Sequence, residues 1–197
     1  MNGYFGPIVP VRTQLRIAPW FILLVVALAV LEDHGVINLT GQAQAIQQHS
    51  APAQPGASGQ ARRDIPGGYL AAYRRAASTC PHLTWPLLAA IGKVESDHGR
   101  STLPGVHSGQ NAAGAAGPMQ LGNGTGRAGD AWGRYGDGVP SHVYRIGPAA
   151  KAAARKLCAD GVRRGDIGGA LYAYNHSASY VAQVRAIARR YQRREGS

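Results

Sequence analysis

Helical spacing of apolar side chains is the feature that most limits what this chain can fold into. From Asp64 onward, apolar residues recur three or four positions apart in several segments, and no segment alternates apolar with polar residues over a useful length. The stretch 99–147 is irregular apart from a short helix expected at residues 112–121, and an irregular stretch of that length usually carries function. We therefore expect residues 64–197 to form one all-α domain, which is long enough to bury a core. The last segment predicts a helix with these residues on its apolar face: Tyr180, Val181, Val184, Ile187, Ala188 and Tyr191.

An apolar run of fifteen residues, 17–31, lies near the N-terminus between Arg16 and Glu32. A helix of that length spans about 22 Å, against about 30 Å for the hydrocarbon core of a bilayer. The length favours the apolar part of a signal peptide, whereas the small-residue pattern typical of a cleavage site does not directly follow the run. Residues 1–36 are therefore predicted as a signal peptide or a membrane anchor. In both cases the rest of the chain is exported from the cytoplasm.

Residues 37–63 are predicted as a disordered linker. Between residues 41 and 63 the chain consists mainly of Gln, Ala, Ser, Pro and Gly, with almost no large apolar side chains. Such a composition buries too little apolar surface to offset the conformational entropy that folding removes. The folded domain is therefore expected to begin near Asp64, where Asp64-Ile65-Pro66 has the pattern of a helix start.

The formal charge of +11 predicts attraction to polyanions, whether nucleic acid, anionic lipid or an acidic polymer of the cell wall. Nucleic acid binding is the simplest alternative that charge alone supports. Export argues against it, and the tyrosines of the basic C-terminal segment, Tyr180 and Tyr191, are interpreted as core residues. We therefore expect no nucleic acid partner.

Cys80 and Cys158 are the only cysteines. In an exported protein an even pair is expected to form a disulfide, and closing so long a loop contributes about 4 kcal/mol in the chain-entropy model. Two thiols without a nearby pair of histidines make a poor zinc site, and the seven histidines are scattered without ligand spacing. We therefore predict no metal and no cofactor.

Glu95 lies on the apolar face of a predicted helix, for which Thr84 is positioned as the N-cap and Gly99 as the stop. Leu88, Ile91 and Glu95 occupy positions i, i+3 and i+7, so the carboxylate shares a stripe with residues that face the core. Burial beside apolar side chains raises a carboxyl pKa, as a general acid near neutral pH requires. The alternative is a helix-end glutamate that bends out to water.

Enzymes that hydrolyse a glycosidic bond ordinarily use two carboxyl groups that flank it. Only Glu95 has the setting of a buried acid, because Asp97 lies on another helix face and the other aspartates occupy helix ends or a Gly-rich loop. A single acid suits a reaction in which one group donates a proton and then takes one back, while the substrate supplies its own nucleophile. No nucleophile elbow, dinucleotide fingerprint or phosphate-binding loop is present. The acidic residues between Asp64 and Glu195 are Glu95, Asp97, Asp130, Asp137, Asp160 and Asp166.

Three short motifs follow one another along the chain: Glu95-Ser96, residues 114–120 (Gly-Ala-Ala-Gly-Pro-Met-Gln) and residues 173–175 (Ala-Tyr-Asn). In this order and spacing they resemble the motifs of the SLT-type lytic transglycosylases, peptidoglycan-cleaving enzymes of the lysozyme-like superfamily. Three longer stretches resemble the actinobacterial members: the Ile-Pro-x-x-Tyr-Leu sequence at residues 65–70, residues 93–100, and Tyr174-Asn175-His176-Ser177 followed by Tyr180-Val181. The resemblance covers about residues 64–192.

The resemblance implies a lysozyme-like helical domain with a catalytic cleft, in which Glu95 is the sole catalytic acid/base. Glu95 would protonate the oxygen between N-acetylmuramic acid and N-acetylglucosamine, then deprotonate the muramic C6 hydroxyl and leave a 1,6-anhydromuramoyl end. Tyr174 would orient Glu95 through its hydroxyl. For Met119, a role as a core filler is an equal alternative. The substrate-binding residues implied are Ser96, Asn111, Met119, Gln120, Tyr174 and Asn175.

Peptidoglycan glycan strands are the partner that the resemblance implies, for an enzyme anchored in the membrane or secreted to the cell wall. The N-terminal segment would contact the membrane if it is not cleaved. The chain departs from the family at Asn111, where Ser is common, and at residues 145–147, which replace an acidic segment; no calcium site is expected near Asp137. Two alternatives stay open: a lysozyme-type muramidase and a non-catalytic cell-wall-binding module.

Overall fold

A computed structural model describes residues 54–192, and most of them are helical. The predicted signal or anchor at residues 1–36 and the linker up to residue 53 lie outside the described residues. The helices of the described range are α1 (Gly59–Asp64), α2 (Gly67–Ala77), α3 (Trp85–Ser96), α4 (Ala131–Tyr135), α5 (Ile146–Asp160), α6 (Ile167–Asn175) and α7 (Ala178–Gln192). Two 3-10 helices, Pro140–Tyr144 and Val162–Arg164, flank α5. The prediction of an all-α domain is confirmed.

Helix α3 lies at the centre of this domain, where it packs against α2, α5 and α7. The predicted apolar stripe is confirmed, because Leu88 and Ile91 are fully buried. The small residues Ala89 and Ala90 are also fully buried and let the neighbouring helices approach closely. Since α3 is enclosed by other helices, the core holds Glu95 in place near the end of the helix. No helix within residues 54–192 combines the length and the hydropathy needed to cross a bilayer.

The start of α3 is as predicted, with Thr84 at the N-cap, although the Thr84 side chain makes no capping hydrogen bond. The helix ends at Ser96, before the expected stop at Gly99. Asp97 and His98 already adopt left-handed backbone conformations, with φ of 52° and 56°, and Gly99 follows with φ of 74°. The prediction missed this because Gly is the usual left-handed residue, whereas here side-chain hydrogen bonds to both residues hold Asp97 and His98 in place.

The prediction that the linker extends to residue 63 is wrong for residues 54–63. The side chain of Gln54 donates to the Leu83 carbonyl oxygen at 3.1 Å and accepts from the Trp85 backbone N–H at 2.9 Å. Ala61 of α1 is fully buried. A segment this poor in large apolar residues cannot form a core of its own. It can still pack its small side chains against the core of the domain and form hydrogen bonds to it. Composition alone does not distinguish the two cases.

The predicted disulfide between Cys80 and Cys158 is confirmed. Cys80 lies three residues after the end of α2, and Cys158 lies in the last turn of α5. These two helices also pack against each other. The bond therefore secures an existing helix pair at one end.

The expected short helix at residues 112–121 is absent. Two strands lie there instead, β1 (Ala115–Ala116) and β2 (Leu121–Gly122), and they pair antiparallel with Ala115 opposite Gly122. Gly117 turns the chain between them with φ of 76°, and a Cβ at this position would lie 1.9 Å from the Val143 carbonyl oxygen. The second motif therefore requires glycine for its backbone path, which bends the chain out of a helix.

Candidate active site

A cleft of about 440 Å³ opens beside the end of α3. Its walls come from three distant parts of the chain: the end of α3, the β1–β2 hairpin with its flanking loops, and the end of α6. Five of the residues predicted from the sequence meet at this surface, one or two from each wall. The lining residues are Glu95, Asn111, Ala113, Ala115, Gln120, Arg127, Ala128, Tyr174, Asn175 and His176.

The Glu95 side chain is mostly enclosed by protein and is accessible from the cleft. Its Oε1 atom accepts a hydrogen bond from the Tyr180 hydroxyl at 2.7 Å. Burial raises the pKa of Glu95 to about 7, and the hydrogen bond from Tyr180 opposes part of that rise. A carboxyl group with this pKa exists in both protonation states near neutral pH, so it can give up a proton and recover it.

The tyrosine that contacts Glu95 is Tyr180, and the prediction that Tyr174 orients Glu95 through its hydroxyl is wrong. The Tyr174 hydroxyl donates to the Met119 carbonyl oxygen at 2.8 Å. The two tyrosine rings lie nearly parallel, with centroids 6.4 Å apart. Tyr174 therefore supports the wall of the site, while Tyr180 holds the carboxylate.

Tyr180 was not predicted as a site residue because it fits the apolar face of α7. Its ring is buried, as expected of a core residue, and only its hydroxyl reaches the carboxyl group of Glu95. Burial and the neighbouring Glu95 raise the pKa of Tyr180 well above its ordinary value, so its hydroxyl stays protonated and acts as a donor. The sequence held two signals: Tyr180-Val181 is part of the stretch that resembles the actinobacterial members, and Tyr occupies a core position where Phe would fill the same space.

Asn111 and Gln120 form a fixed pair of amides on the hairpin side of the cleft. Asn111 Oδ1 accepts from the backbone N–H groups of Ala113 and Ala115, and its Nδ2 donates to Gln120 Oε1 at 2.9 Å. Gln120 Nε2 donates to the Gly117 carbonyl oxygen at 2.8 Å. Much of the hydrogen-bonding capacity of both amides is used within the loop, so these residues shape the cleft as well as face it.

Two predicted binding residues do not line the cleft. Ser96 is buried, where its hydroxyl donates to the Pro118 carbonyl oxygen at 2.6 Å and accepts from the Gly99 N–H at 2.8 Å. Met119 is fully buried in the core. Ser96 therefore joins the end of α3 to the second motif, and for Met119 the alternative of a core filler is correct.

Arg127 and His176 line the cleft although the sequence did not predict them. Arg127 is exposed on the loop after β2, and His176 ends α6 with φ of 33°. The His176 ring lies edge-to-face against Tyr172, with centroids 5.8 Å apart. Neither residue belongs to a periodic pattern, and the one available signal was that His176 follows the third motif directly.

Glu95 is the only carboxylate among the residues that line the cleft. Asp64 and Asp97 lie in an ion cluster with Lys93 and Arg100. Other aspartates of the described range have partners elsewhere: Asp160 pairs with Lys156, Asp137 pairs with His142, and Asp130 and Asp166 cap α4 and α6. The lining of the cleft therefore contains one carboxyl group, and the aspartates named above have partners outside that lining.

Residues 54–192 contain no group of three His, Cys, Asp or Glu side chains arranged to hold a metal ion. A larger cavity, of about 560 Å³, lies beside α5, next to the residues that follow α2 and to the end of α4. Its lining includes Lys151, Arg155 and Arg163 and no carboxylate. We place the candidate active site in the smaller cleft because that cleft contains the one carboxyl group with a pKa near neutrality.

Comparisons of this chain with protein-family models, with curated proteins and with solved structures gave no match.

Proposed function

We propose that this protein is an exported lytic transglycosylase with a lysozyme-like fold, which cleaves the β-1,4 bond between N-acetylmuramic acid and N-acetylglucosamine in peptidoglycan. The observation that carries the proposal is the setting of Glu95, which is the only carboxylate lining the cleft and has a pKa raised to about 7 by burial. The three motifs also support it, because Glu95, Gln120 and Tyr174 line one cleft despite their separation in the chain.

In the first step, protonated Glu95 donates its proton to the glycosidic oxygen while the bond from that oxygen to C1 of the muramic sugar breaks. In the second step, the C6 hydroxyl oxygen of the same sugar attacks C1, and its proton passes to the Glu95 carboxylate. The products are a new N-acetylglucosamine hydroxyl and a 1,6-anhydro ring. No water is consumed, and Glu95 ends in the protonation state in which it began, so one carboxyl group is sufficient.

In this reaction, Tyr180 stabilises and orients Glu95 between the two steps. Between the two steps Glu95 is an anion in a mostly enclosed site, and a hydrogen bond to a charged acceptor is stronger than one to a neutral acceptor. The Tyr180 hydroxyl, 2.7 Å from Oε1, stabilises that anion and fixes the direction of the carboxyl group. Asn175, which is exposed at the end of α6, and Arg127 on the opposite loop face the substrate.

A muramidase that uses two carboxylates is the competing function. Such enzymes place the second carboxyl group within about 5–10 Å of the first. The cleft has no such group among its lining residues, which favours intramolecular attack by the sugar hydroxyl. A purely binding module would gain nothing from a buried carboxyl group, because burying an acid costs stability.

The test is digestion of purified peptidoglycan by the full chain and by its Glu95→Gln variant. We expect the rate of peptidoglycan cleavage to fall at least about 100-fold in the variant, because general acid–base catalysis typically contributes that much. Asp137→Asn is the matched control, because it also converts a carboxylate to an amide but changes an exposed residue outside the cleft. Full activity in Glu95→Gln would refute the proposal, and equal losses in both variants would show that the effect is not specific to Glu95.

A further inference from the structure

A basic surface that no catalytic step uses lies along α5, beside α2 and the segments that follow α2 and α4. We infer that it is a second binding site, for a linear polyanion joined through phosphodiesters. This basic groove consists of a cavity of about 560 Å³ and an adjoining one of about 240 Å³, which share Lys151 and Arg155. It shares no lining residue with the Glu95 cleft. Its cations are Arg75, Lys151, Arg155 and Arg163.

The four cations of the basic groove are all exposed, and none forms an ion pair with a carboxylate of residues 54–192. Lys151 and Arg155 lie four residues apart on α5, where two like charges are neighbours on the helix surface and repel each other. Asp137 lines the adjoining cavity, but its carboxylate accepts from His142 at 2.8 Å and from the Val139 N–H. The groove therefore brings together four cations against one carboxylate, that of Asp137.

The basic groove is also preorganised. Two of the helices that line it, α2 and α5, pack against each other, and the Cys80–Cys158 disulfide lies in its lining. One guanidinium nitrogen of Arg155 donates to the Tyr135 and Gly136 carbonyl oxygens, at 3.0 and 3.3 Å. These contacts fix the direction of the side chain and leave its other donors available for an anion. A rigid site loses less entropy on binding than a flexible one.

The chemistry of the lining favours phosphodiesters over other polyanionic ligands. Arg and Lys bind phosphate oxygens by charge-assisted hydrogen bonds, and several in a row suit a chain with repeated charges. Single-stranded nucleic acid would also need aromatic faces for its bases, and Tyr135 is the only aromatic residue lining the groove. A membrane surface would need apolar side chains as well, and the large apolar residues exposed within residues 54–192, Leu103, Val139 and Tyr172, lie outside the lining.

Binding at the basic groove is independent of the chemistry at Glu95. A polyanion held there would keep the chain close to any substrate attached to the same polymer network and would raise its effective concentration. The groove therefore acts in localisation, and cleavage of polymer-free peptidoglycan does not require it.

The experiment measures binding of the full chain to fluorescently labelled poly(glycerol phosphate) by anisotropy, at several salt concentrations. The groove variant is Arg75→Gln, Lys151→Gln and Arg163→Gln, which spares Arg155 because its backbone contacts stabilise the fold. The control variant removes the same charge from the exposed face of α7: Arg185→Gln, Arg189→Gln and Arg190→Gln. A single-stranded DNA oligonucleotide with the same number of phosphates is the second probe.

We expect the groove variant to bind poly(glycerol phosphate) at least tenfold more weakly, and the salt dependence, the slope of log K against log salt, to fall by about 2. The control variant should lose less than threefold. Equal losses in both variants would show that binding follows net charge. A groove that prefers the oligonucleotide would be a nucleic acid site. Each of these results overturns the inference.

Thermal unfolding checks that the groove variant is folded. If it is not folded, the variant Lys151→Gln alone, at an exposed helix position, replaces it. Glycan cleavage by the groove variant should match the wild type, so failure of this inference and failure of the proposed reaction are distinguishable.

Discussion

At the scale of single residues, one carboxyl group and one hydroxyl group determine what the cleft can do. Burial raises the pKa of Glu95, and the hydrogen bond from Tyr180 lowers it again in part. The two effects have different consequences: burial raises the pKa of Glu95 toward neutrality, and the hydrogen bond stabilises the ionised form of its carboxyl group. The helical stripe through Leu88 and Ile91 was sufficient to predict that Glu95 faces the core. It contained no information on which tyrosine hydroxyl would meet the carboxyl group, because Tyr180 lies in another helix.

The pair Tyr174 and Tyr180 provides a matched test of this assignment. In Tyr180→Phe the charged form of Glu95 loses its donor, so the pKa of Glu95 rises and the alkaline fall in activity moves to higher pH. We also expect about a tenfold loss of rate, since the carboxyl group is no longer oriented. In Tyr174→Phe the ring remains and the lost hydrogen bond is to Met119, so the pH profile should not move. The measurement is the rate of peptidoglycan cleavage against pH, and a shift in Tyr174→Phe with none in Tyr180→Phe would contradict the assignment.

At the scale of elements, the end of α3 is held by a polar cluster on α1, α2 and α7. His98 is fully enclosed, its Nδ1 lies 3.2 Å from the Tyr73 hydroxyl, and its Nε2 lies 3.1 Å from the Tyr191 hydroxyl. Tyr191 donates to Asp64, so its oxygen accepts from Nε2–H and leaves Nδ1 to accept from Tyr73. Beside it, Lys93 donates to Asp64 and to Asp97.

This cluster explains why residues 97–99 leave the helix where they do. Arg100 and Lys93 hydrogen-bond to Asp97 and hold the pKa of its carboxyl well below the ordinary value, even though burial acts in the opposite direction. The sequence indicated that residues 93–100 form one motif. It did not reveal their partners, because Asp64 and Tyr191 are about 30 and 90 positions away and belong to no shared pattern.

The cluster predicts loss of stability in mild acid. Burial lowers the pKa of His98 from 6.5 to about 4. Between pH 4 and 6.5, the His98 ring is therefore protonated in the unfolded chain but neutral in the folded chain. The folded state is therefore favoured above pH 6.5 and loses up to about 3 kcal/mol as the pH falls to 4. Protonation of Nδ1 would also leave the Tyr73 hydroxyl without its acceptor. The measurements are urea unfolding from pH 7 to 4 and NMR titration of the His98 ring; a ring that titrates near 6.5 would contradict the account.

At the scale of the whole molecule, the sequence was most informative where one local rule decides the outcome. The helical character followed from apolar spacing, and the Cys80–Cys158 bond followed from an even number of cysteines in a chain predicted to be exported. Prediction failed where distant contacts override local composition. Residues 54–63 look like linker yet pack on α3 and α7 through hydrogen bonds and small side chains. The alanines of the second motif favour a helix, but the chain turns at Gly117 and forms a β-hairpin there.

The central claim is that one carboxylate cleaves the glycan without water, and the mass of the products tests it most directly. Purified peptidoglycan is digested with the full chain, and the muramic ends are measured by mass spectrometry. Intramolecular attack by the C6 hydroxyl predicts 1,6-anhydromuramoyl ends, each lighter by one water molecule than a hydrolysed end. Glu95→Gln should produce neither. Reducing muramic ends from the wild-type chain would instead identify a hydrolase and contradict the single-carboxylate mechanism.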